Sequence, residues 1–352
     1  MTVQERSTEA FVEQAFADLA ACYGGVMIST GHKLGLYRAL AGQGPLSSWE
    51  LATRTACEER YVREWLNSQV AGGYLVYHAS SQTYELPPEH VPVLVDEQSP
   101  VFLPTAFEIP GSMWFDQERT LDAFRTGAGI PWGEHDGRLY CGIASIYANA
   151  YRASLVSEWL PALDGVVERL ERGATVADVG CGHGHSTVLM AEAFERSRFV
   201  GFDTHDASVV TARAEAEAAG VTDRVEFRSA EASSFPGTGY DLVCFFDTLH
   251  DLGDPVGAAR HALGALADDG TLLVVEPYAG DTVEDNVGLV GRLYYTGSTM
   301  LCLPHSRSED VGLALGAQAG PARLAAVLHE AGFGSVRTAH ETPFNLVLEA
   351  RR

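Results

Sequence analysis

Apolar positions recur along this chain with two different periods, and the change between them divides it. From Thr175 onward, short apolar and β-branched runs alternate with stretches of helical spacing. The runs cover residues 176–179, 199–202, 225–228, 240–246 and 271–276. They are too continuously apolar for strands with one wet face, so they predict buried strands of a parallel sheet. Between them, Val188, Leu189, Ala191 and Phe194 carry helical spacing after a start at His185 or Ser186. Further helices are predicted over 207–219, 255–266 and 321–331. Asp269 and Gly270 predict a tight turn before the fifth strand. Residues 336–342 and 344–349 predict a closing β pair. Strands alternating with helices in this way predict an α/β architecture.

The first half reads differently. Residues 11–40 predict helix, broken near Gly24 and Gly25, and more apolar than an outer helix needs. Such a helix is expected to bury against a second domain or a partner chain. Residues 45–55 predict a short capped helix, with Ser47 or Ser48 as N-cap and Glu50 placed for a capping box. A second helix follows, with Tyr61, Val62, Trp65, Leu66 and Val70 facing inward and Gly72 and Gly73 ending it. Residues 74–78 and 83–86 then predict a hairpin across 79–82. Helix, turn, helix, hairpin is a winged-helix arrangement. Residues 87–173 form a connecting region, broken early by Pro88, Pro92, Pro100, Pro104 and Pro110. Its Trp132, Tyr140, Tyr147 and Tyr151 suit a pocket wall or an interdomain core equally. The expected division is 1–95, a mainly helical winged-helix-like domain; 96–173, a helical connecting and covering region; and 174–352, an α/β domain.

Composition narrows the function. The chain has 352 residues, 46% hydrophobic and 20% charged, as in an ordinary globular protein with a sizeable core. The stretch MTVQERSTEAFVEQ has no apolar core of the signal-peptide kind. No apolar stretch is long enough to span a bilayer. The six cysteines are scattered, with no C-x-x-C, which predicts packed, reduced thiols in a cytoplasmic protein. A net charge of −23 without any run of Lys and Arg argues against nucleic acid or an anionic membrane as partner.

The candidate chemistry starts at Gly180, Gly182 and Gly184. This G-x-G-x-G turn, with Cys181 inside it, joins the first predicted strand to its helix and lets a ligand approach bare backbone near a helix N-terminus. Asp178 stands two residues before the turn. Asp203 ends the second strand, Glu231 and Ala232 follow the third, and the fourth runs through Phe246 into Asp247. The D-x-G-x-G-x-G form with these companions resembles the class I S-adenosylmethionine-dependent methyltransferases. The resemblance covers residues 175–352 and implies a Rossmann-like, seven-stranded sheet whose last strand is antiparallel. It implies that Asp178 and the glycine turn hold the methionine part of S-adenosylmethionine. It further implies that Asp203 holds the ribose, that Glu231 and Ala232 hold the adenine, and that Thr204, Phe246 and Asp247 also bind the cofactor. The family more often has Asp where Glu231 stands. A nicotinamide-binding G-x-G-x-x-G turn would want Gly or Ala at His185.

The front module extends this resemblance to an actinobacterial group of winged-helix methyltransferases, some of whose members are labelled transcriptional regulators. In that group the module implies homodimerisation and a wall for the substrate pocket. DNA binding would need basic residues on the second helix, but Arg60 and Arg63 stand there among Glu58, Glu59 and Glu64. The alternative is therefore a regulator with a non-catalytic methyltransferase domain. The segment 278–320 leaves the C-terminal edge of the fifth strand, where ligands of open α/β sheets bind, so it is expected to cover a small-molecule acceptor. Tyr294, Tyr295, Met300 and Leu301 would supply apolar wall, and His305, Ser306 and Ser308 polar contacts.

Methyl transfer to O, N or C of a small, partly apolar molecule needs alignment, plus a base where the nucleophile carries a proton. His250 is the candidate base, because its ordinary pKa lies near neutrality, with Asp251 or Glu276 to orient it. His305 is a second candidate if the insertion folds back. His250, Asp251, Glu276 and His305 are also metal-ligand types, but without fixed ligand spacing no metal site is expected. His183 and His185 are read as solvent-facing or beside the methionine carboxylate.

Overall fold

The computed structural model describes residues 7–352. Residues 1–6, which belong to the first expected domain and to the stretch examined for a signal peptide, lie outside the described residues. The chain forms two compact units. One takes the described residues up to Trp114 together with Gly137–Asn149; the other takes Phe115–Asp136 and Ala150–Arg352. The connecting region is thus shared between them.

In the first unit, helix Thr8–Lys33 opens with Ser7, whose hydroxyl accepts the Ala10 N–H. It runs unbroken through Gly24 and Gly25, against the expected break. A Cβ at Gly25 would stand 2.9 Å from the Phe107 ring, so that glycine admits a close neighbour rather than ending the helix. The break comes after Lys33, where Gly35 takes φ 68° before helix Leu36–Leu40. Helix Ser48–Thr55 carries the full capping box, with Ser47 as N-cap and Glu50 returning the bond. Helix Glu59–Ala71 buries Val62, Trp65, Leu66 and Gln69. Tyr61 is 81% exposed, contrary to expectation, because adjacent helical positions point about 100° apart and Val62 takes the inward one. Strands β1 (Val76–His78) and β2 (Thr83–Glu85) pair antiparallel as the wing. Ile28, Tyr37, Leu51 and Leu66 centre the core of this unit.

The second unit is built on seven strands. They are β3 (Thr175–Val179), β4 (Arg198–Asp203), β5 (Val225–Ser229), β6 (Tyr240–Phe246), β7 (Leu266–Pro277), β8 (Ser335–Glu341) and β9 (Asn345–Arg351). Their order is β5-β4-β3-β6-β7-β9-β8, and β9 runs antiparallel between β7 and β8. Successive strands step one way from β3 to β5, then the order jumps back to β6 on the other side. That reversal opens a crevice at the C-terminal end of β3. Strand β7 starts five residues earlier than expected. Leu266 pairs with Tyr240 and Thr271 with Leu242, so a register shift replaces the tight turn expected at Asp269 and Gly270. Helices His185–Ala193, Asp206–Ala218, Pro255–Ala265 and Gly320–Ala331 cover the sheet.

The two glycines of the first helix separate by their surroundings. A Cβ at Gly24 would meet nothing within 4 Å. Gly24→Ala should therefore raise the unfolding free energy by about 0.5–1 kcal/mol through helix propensity, while Gly25→Ala should lower it by forcing Phe107 aside. Denaturant titration of both variants checks this; equal effects would contradict the packing role of Gly25.

Candidate functional site

Strand β3 delivers Asp178 and then the glycine turn to the crevice. Gly180, Gly182 and Gly184 have φ 76°, 52° and 80°. A Cβ at Gly180 would fall 2.4 Å from the Thr248 hydroxyl, whereas one at Gly182 would meet nothing within 4 Å. Gly182 thus offers bare backbone to open space, beside the start of helix His185–Ala193, which has no side-chain cap. The turn is pinned from β4. The Phe202 carbonyl accepts the Gly180 and Cys181 N–H groups at 2.8 and 3.0 Å. Asp203 Oδ2 accepts the Gly182 N–H at 2.8 Å, and Oδ1 accepts the His205 N–H at 2.9 Å. The remaining lone pairs of that carboxylate are available to a ligand. Thr204 lies in the turn between Asp203 and His205. Ala230 donates to the Asp203 carbonyl, which sets half-buried Ala232 and exposed Glu231 at the neighbouring strand end. His183 and His185 are half-buried, with their rings 6.2 Å apart.

Asp178 is fully buried. Its Oδ2 accepts the hydroxyls of Ser186 and Thr187, each at 2.6 Å, and its Oδ1 has no hydrogen-bond partner. Burial raises its pKa to about 6. The helix buries Ser186, Thr187, Met190 and Ala191; of the expected apolar positions Ala191 and Phe194 are buried, while Val188 and Leu189 are half-buried. Phe246 is buried and packs edge-on against Tyr151, centroids 5.4 Å apart.

Beyond Phe246 the chain turns sharply. Asp247 holds φ 53°, a sparsely populated conformation for a non-glycine residue, and its N–H donates to Val275. The turn brings His250 against Glu276 at the end of β7. His250 Nδ1 lies 2.5 Å from Glu276 Oε2, and Glu276 Oε1 accepts the Leu249 N–H at 3.0 Å. His250 Nε2 lies 3.0 Å from Asp251 Oδ1. Burial alone would lower the pKa of His250; the Asp251 and Glu276 carboxylates outweigh it and hold the imidazole well above its ordinary range. Each ring nitrogen thus faces a carboxylate, and Asp251 and Glu276 both stand where they can orient His250.

The insertion folds back as helices Leu289–Gly297 and Leu303–Ser308, joined by a π-helical turn Ser298–Cys302. His305 does reach the cluster: burial raises the Asp251 pKa, but His250 first and His305 beside it hold the carboxyl below its ordinary value. Its Nε2 faces Glu309 at 3.3 Å, and its Nδ1 accepts the Trp132 N–H at 3.2 Å. Ser306 is consumed internally: its hydroxyl donates to Leu252 and accepts the Ala314 N–H. Ser308 likewise donates to the His305 carbonyl. Leu301 is buried, Met300 half-buried and Tyr295 partly exposed, while the Tyr294 hydroxyl donates to Phe344.

A residue absent from the sequence-based candidates stands beside this cluster. His135 is buried, and its Nδ1 lies 3.1 Å from Asp116 Oδ2. Its Nε2 is buried without a hydrogen-bond partner, and burial lowers its pKa. The segment carrying it is strapped across the crevice. Ile130 donates to Pro304, Trp132 to His305, and a Cβ at Gly133 would sit 3.9 Å from His205. The strap thereby spans from the end of β4 to the insertion. The polar triplet Glu134-His135-Asp136, inside an aromatic run, was the signal available in the sequence.

The raised pKa of Asp178 has a sign. The folded state holds its proton more tightly than the unfolded state, so stability falls as pH rises from about 4 to about 6, by on the order of 3 kcal/mol. Asp178→Asn should remove this component: relative to wild type, the variant gains stability at pH 7.5 and loses that advantage near pH 4. Unfolding curves at both pH values decide it, and an unchanged pH dependence would contradict the burial argument.

Comparison with known proteins agrees with this geometry. Residues 22–95 match the family described as Rv2258c-like winged HTH domain, and residues 170–310 the family described as methyltransferase domain. A 27-O-demethylrifamycin SV methyltransferase from Amycolatopsis mediterranei is 30% identical over 131 residues, 35% of this chain and 48% of that protein. A trans-aconitate 2-methyltransferase from Methylobacterium radiotolerans is 33% identical over 109 residues, 31% of this chain and 40% of that protein. The chain spans less than half the length of the curated relatives it matches. Among solved structures, PigF with SAH shares the fold at TM-score 0.75 and 16% identity, covering 99% of this chain and 100% of that one. This chain therefore joins an Rv2258c-like winged helix-turn-helix domain to a Rossmann-like methyltransferase domain of the class I fold.

Proposed function

We propose that this protein is an S-adenosylmethionine-dependent methyltransferase acting on O, N or C of a small, partly apolar metabolite. One observation carries the reading: a buried Asp178 with an unpartnered oxygen, open backbone at Gly182 and the Asp203 carboxylate all meet at the crevice beside β3. Those groups fit the cofactor. Asp178, Gly180, Cys181, Gly182 and Gly184 would hold its methionine part, Asp203 the ribose, and Glu231 and Ala232 the adenine, with Thr204, Phe246 and Asp247 alongside. S-adenosylmethionine supplies an electrophilic methyl on a sulfonium and leaves as a neutral thioether. The relatives named as methyltransferases of a rifamycin and of trans-aconitate support a small-molecule acceptor.

The residues of this chain have two tasks: to align the nucleophile and to take its proton. His250, Asp251, Glu276 and His305 form the polar end of the acceptor site. His250 is fixed by Glu276, so it orients rather than deprotonates. His135 is the histidine suited to accept the proton, since Asp116 fixes its Nδ1 and leaves Nε2 as the acceptor atom.

The regulator alternative is weaker. Helix Glu59–Ala71 has two basic residues; Arg60 pairs with Glu64 and Arg63 with Glu59 at 2.8 Å, which cancels their charge toward a phosphate backbone. Helix Thr8–Lys33 exposes Phe11, Phe16, Leu19 and Tyr23, which favours a homodimer through this helix. No described helix is long and apolar enough to cross a membrane, and we place the protein in the cytoplasm on its scattered thiols.

The test is formation of S-adenosylhomocysteine from S-adenosylmethionine across a panel of aromatic hydroxy compounds and hydroxy acids. Turnover that requires one class of acceptor is expected. No turnover, together with a salt-dependent gel shift on genomic fragments, would favour the regulator. With an active acceptor, His135→Asn keeps a donor to Asp116 and deletes Nε2; kcat should fall about 100-fold. The wild-type acid limb, which lies below the ordinary histidine range because burial lowers this pKa, should vanish in the variant. An unaltered pH profile would remove His135 from the chemistry.

A further inference from the structure

His250 and Asp251 form a close ion pair without an aligned hydrogen bond. Nε2 and Oδ1 are 3.0 Å apart, yet Oδ1 is buried and accepts no hydrogen bond. The ring N–H direction therefore misses the oxygen. Cys302 completes the group: His250, Asp251 and Cys302 each place a ligand atom within 4.8 Å of the other two. The three donor atoms thus converge on one small volume. A tetrahedral ion with bonds of about 2.0–2.3 Å separates its ligand atoms by roughly 3–4 Å, which this cluster accommodates.

Three further features belong to such a site. Glu276 accepts at Nδ1 of His250, the outer carboxylate that fixes the tautomer of a metal-bound imidazole and turns Nε2 toward the ion. The site is secluded, with His250 2% and Cys302 8% exposed and the Asp251 side chain 17% exposed. The backbone delivers Cys302 from a π-helical turn, Ser298–Cys302, a local irregularity found at functional sites. The donor set of imidazole nitrogen, carboxylate oxygen and thiolate sulfur suits a borderline-soft divalent ion and disfavours magnesium and calcium.

We infer that His250, Asp251 and Cys302 bind a divalent transition-metal ion of the zinc type, with a fourth position open to the acceptor. The ion binds at Nε2 of His250, and binding displaces the Cys302 thiol proton to solvent. Its role, polarising the acceptor oxygen or nitrogen, rests on the methyltransferase reading; its binding does not. The spacing gave no warning, because Cys302 lies in the insertion, distant in sequence from the Leu-His-Asp turn.

The experiment uses full-length protein with its affinity tag removed, stripped with chelator and titrated with cobalt(II). The expected result is one equivalent per chain, intense tetrahedral visible bands and a thiolate-to-cobalt charge-transfer band that zinc abolishes. Cys302→Ala should lose the charge-transfer band, the Cys22→Ala control should keep it, and Glu276→Gln should weaken binding by about 10–100-fold. A weak octahedral spectrum, or a charge-transfer band that survives Cys302→Ala, would overturn the site. S-adenosylhomocysteine binding to the same metal-free protein is measured in parallel, so a failure of the cofactor reading is seen separately from a failure of the metal site.

Discussion

The crevice depends on one buried carboxylate. Asp178 ends the central strand with no access to water, and only one of its oxygens is satisfied, by Ser186 and Thr187. Those two bonds tie β3 to the first turn of the helix that follows, which fixes the intervening glycine turn from below. Asp203 fixes the same turn from the side through the Gly182 N–H. A half-satisfied buried charge costs stability. It is tolerated where a positively charged ligand group completes it, and here that ligand group would be the ammonium of the cofactor's methionine part.

Much of the second unit was legible because its strands are buried on both faces. Their apolar runs stand out against helices of a different period, and Tyr240–Phe246 was read to the residue. Asp178 and Asp203 were picked out by the resemblance to the methyltransferase family, and the fold sets both beside the glycine turn. Reading failed where identity and surroundings part company. Gly24 and Gly25 look like a helix break, but Gly25 exists to admit Phe107. Tyr61 looks like core, but Val62 beside it takes the inward direction. The turn expected at Asp269 and Gly270 became a register shift because Leu266 still finds Tyr240 as a partner.

The polar cluster beyond β6 and β7 was the least legible, since it is assembled from segments distant in sequence. The Leu-His-Asp turn and Glu276 could be placed from their strands. His135 and Cys302 could not, because no period or spacing links residue 135 or 302 to residue 250. What joins them is the strap 130–135 and the folded insertion, each held by a few backbone and side-chain hydrogen bonds. The result is two histidines in opposite settings: His250 held between carboxylates, and His135 oriented by one carboxylate with an unpartnered nitrogen.

Calorimetric titration of the purified protein with S-adenosylhomocysteine, and with NAD at the same concentrations, addresses the crevice directly. Binding of S-adenosylhomocysteine in the micromolar range, with none of NAD, is the predicted result. Binding of NAD, or of neither, would contradict a crevice shaped by Asp178, Gly182 and Asp203 for S-adenosylmethionine.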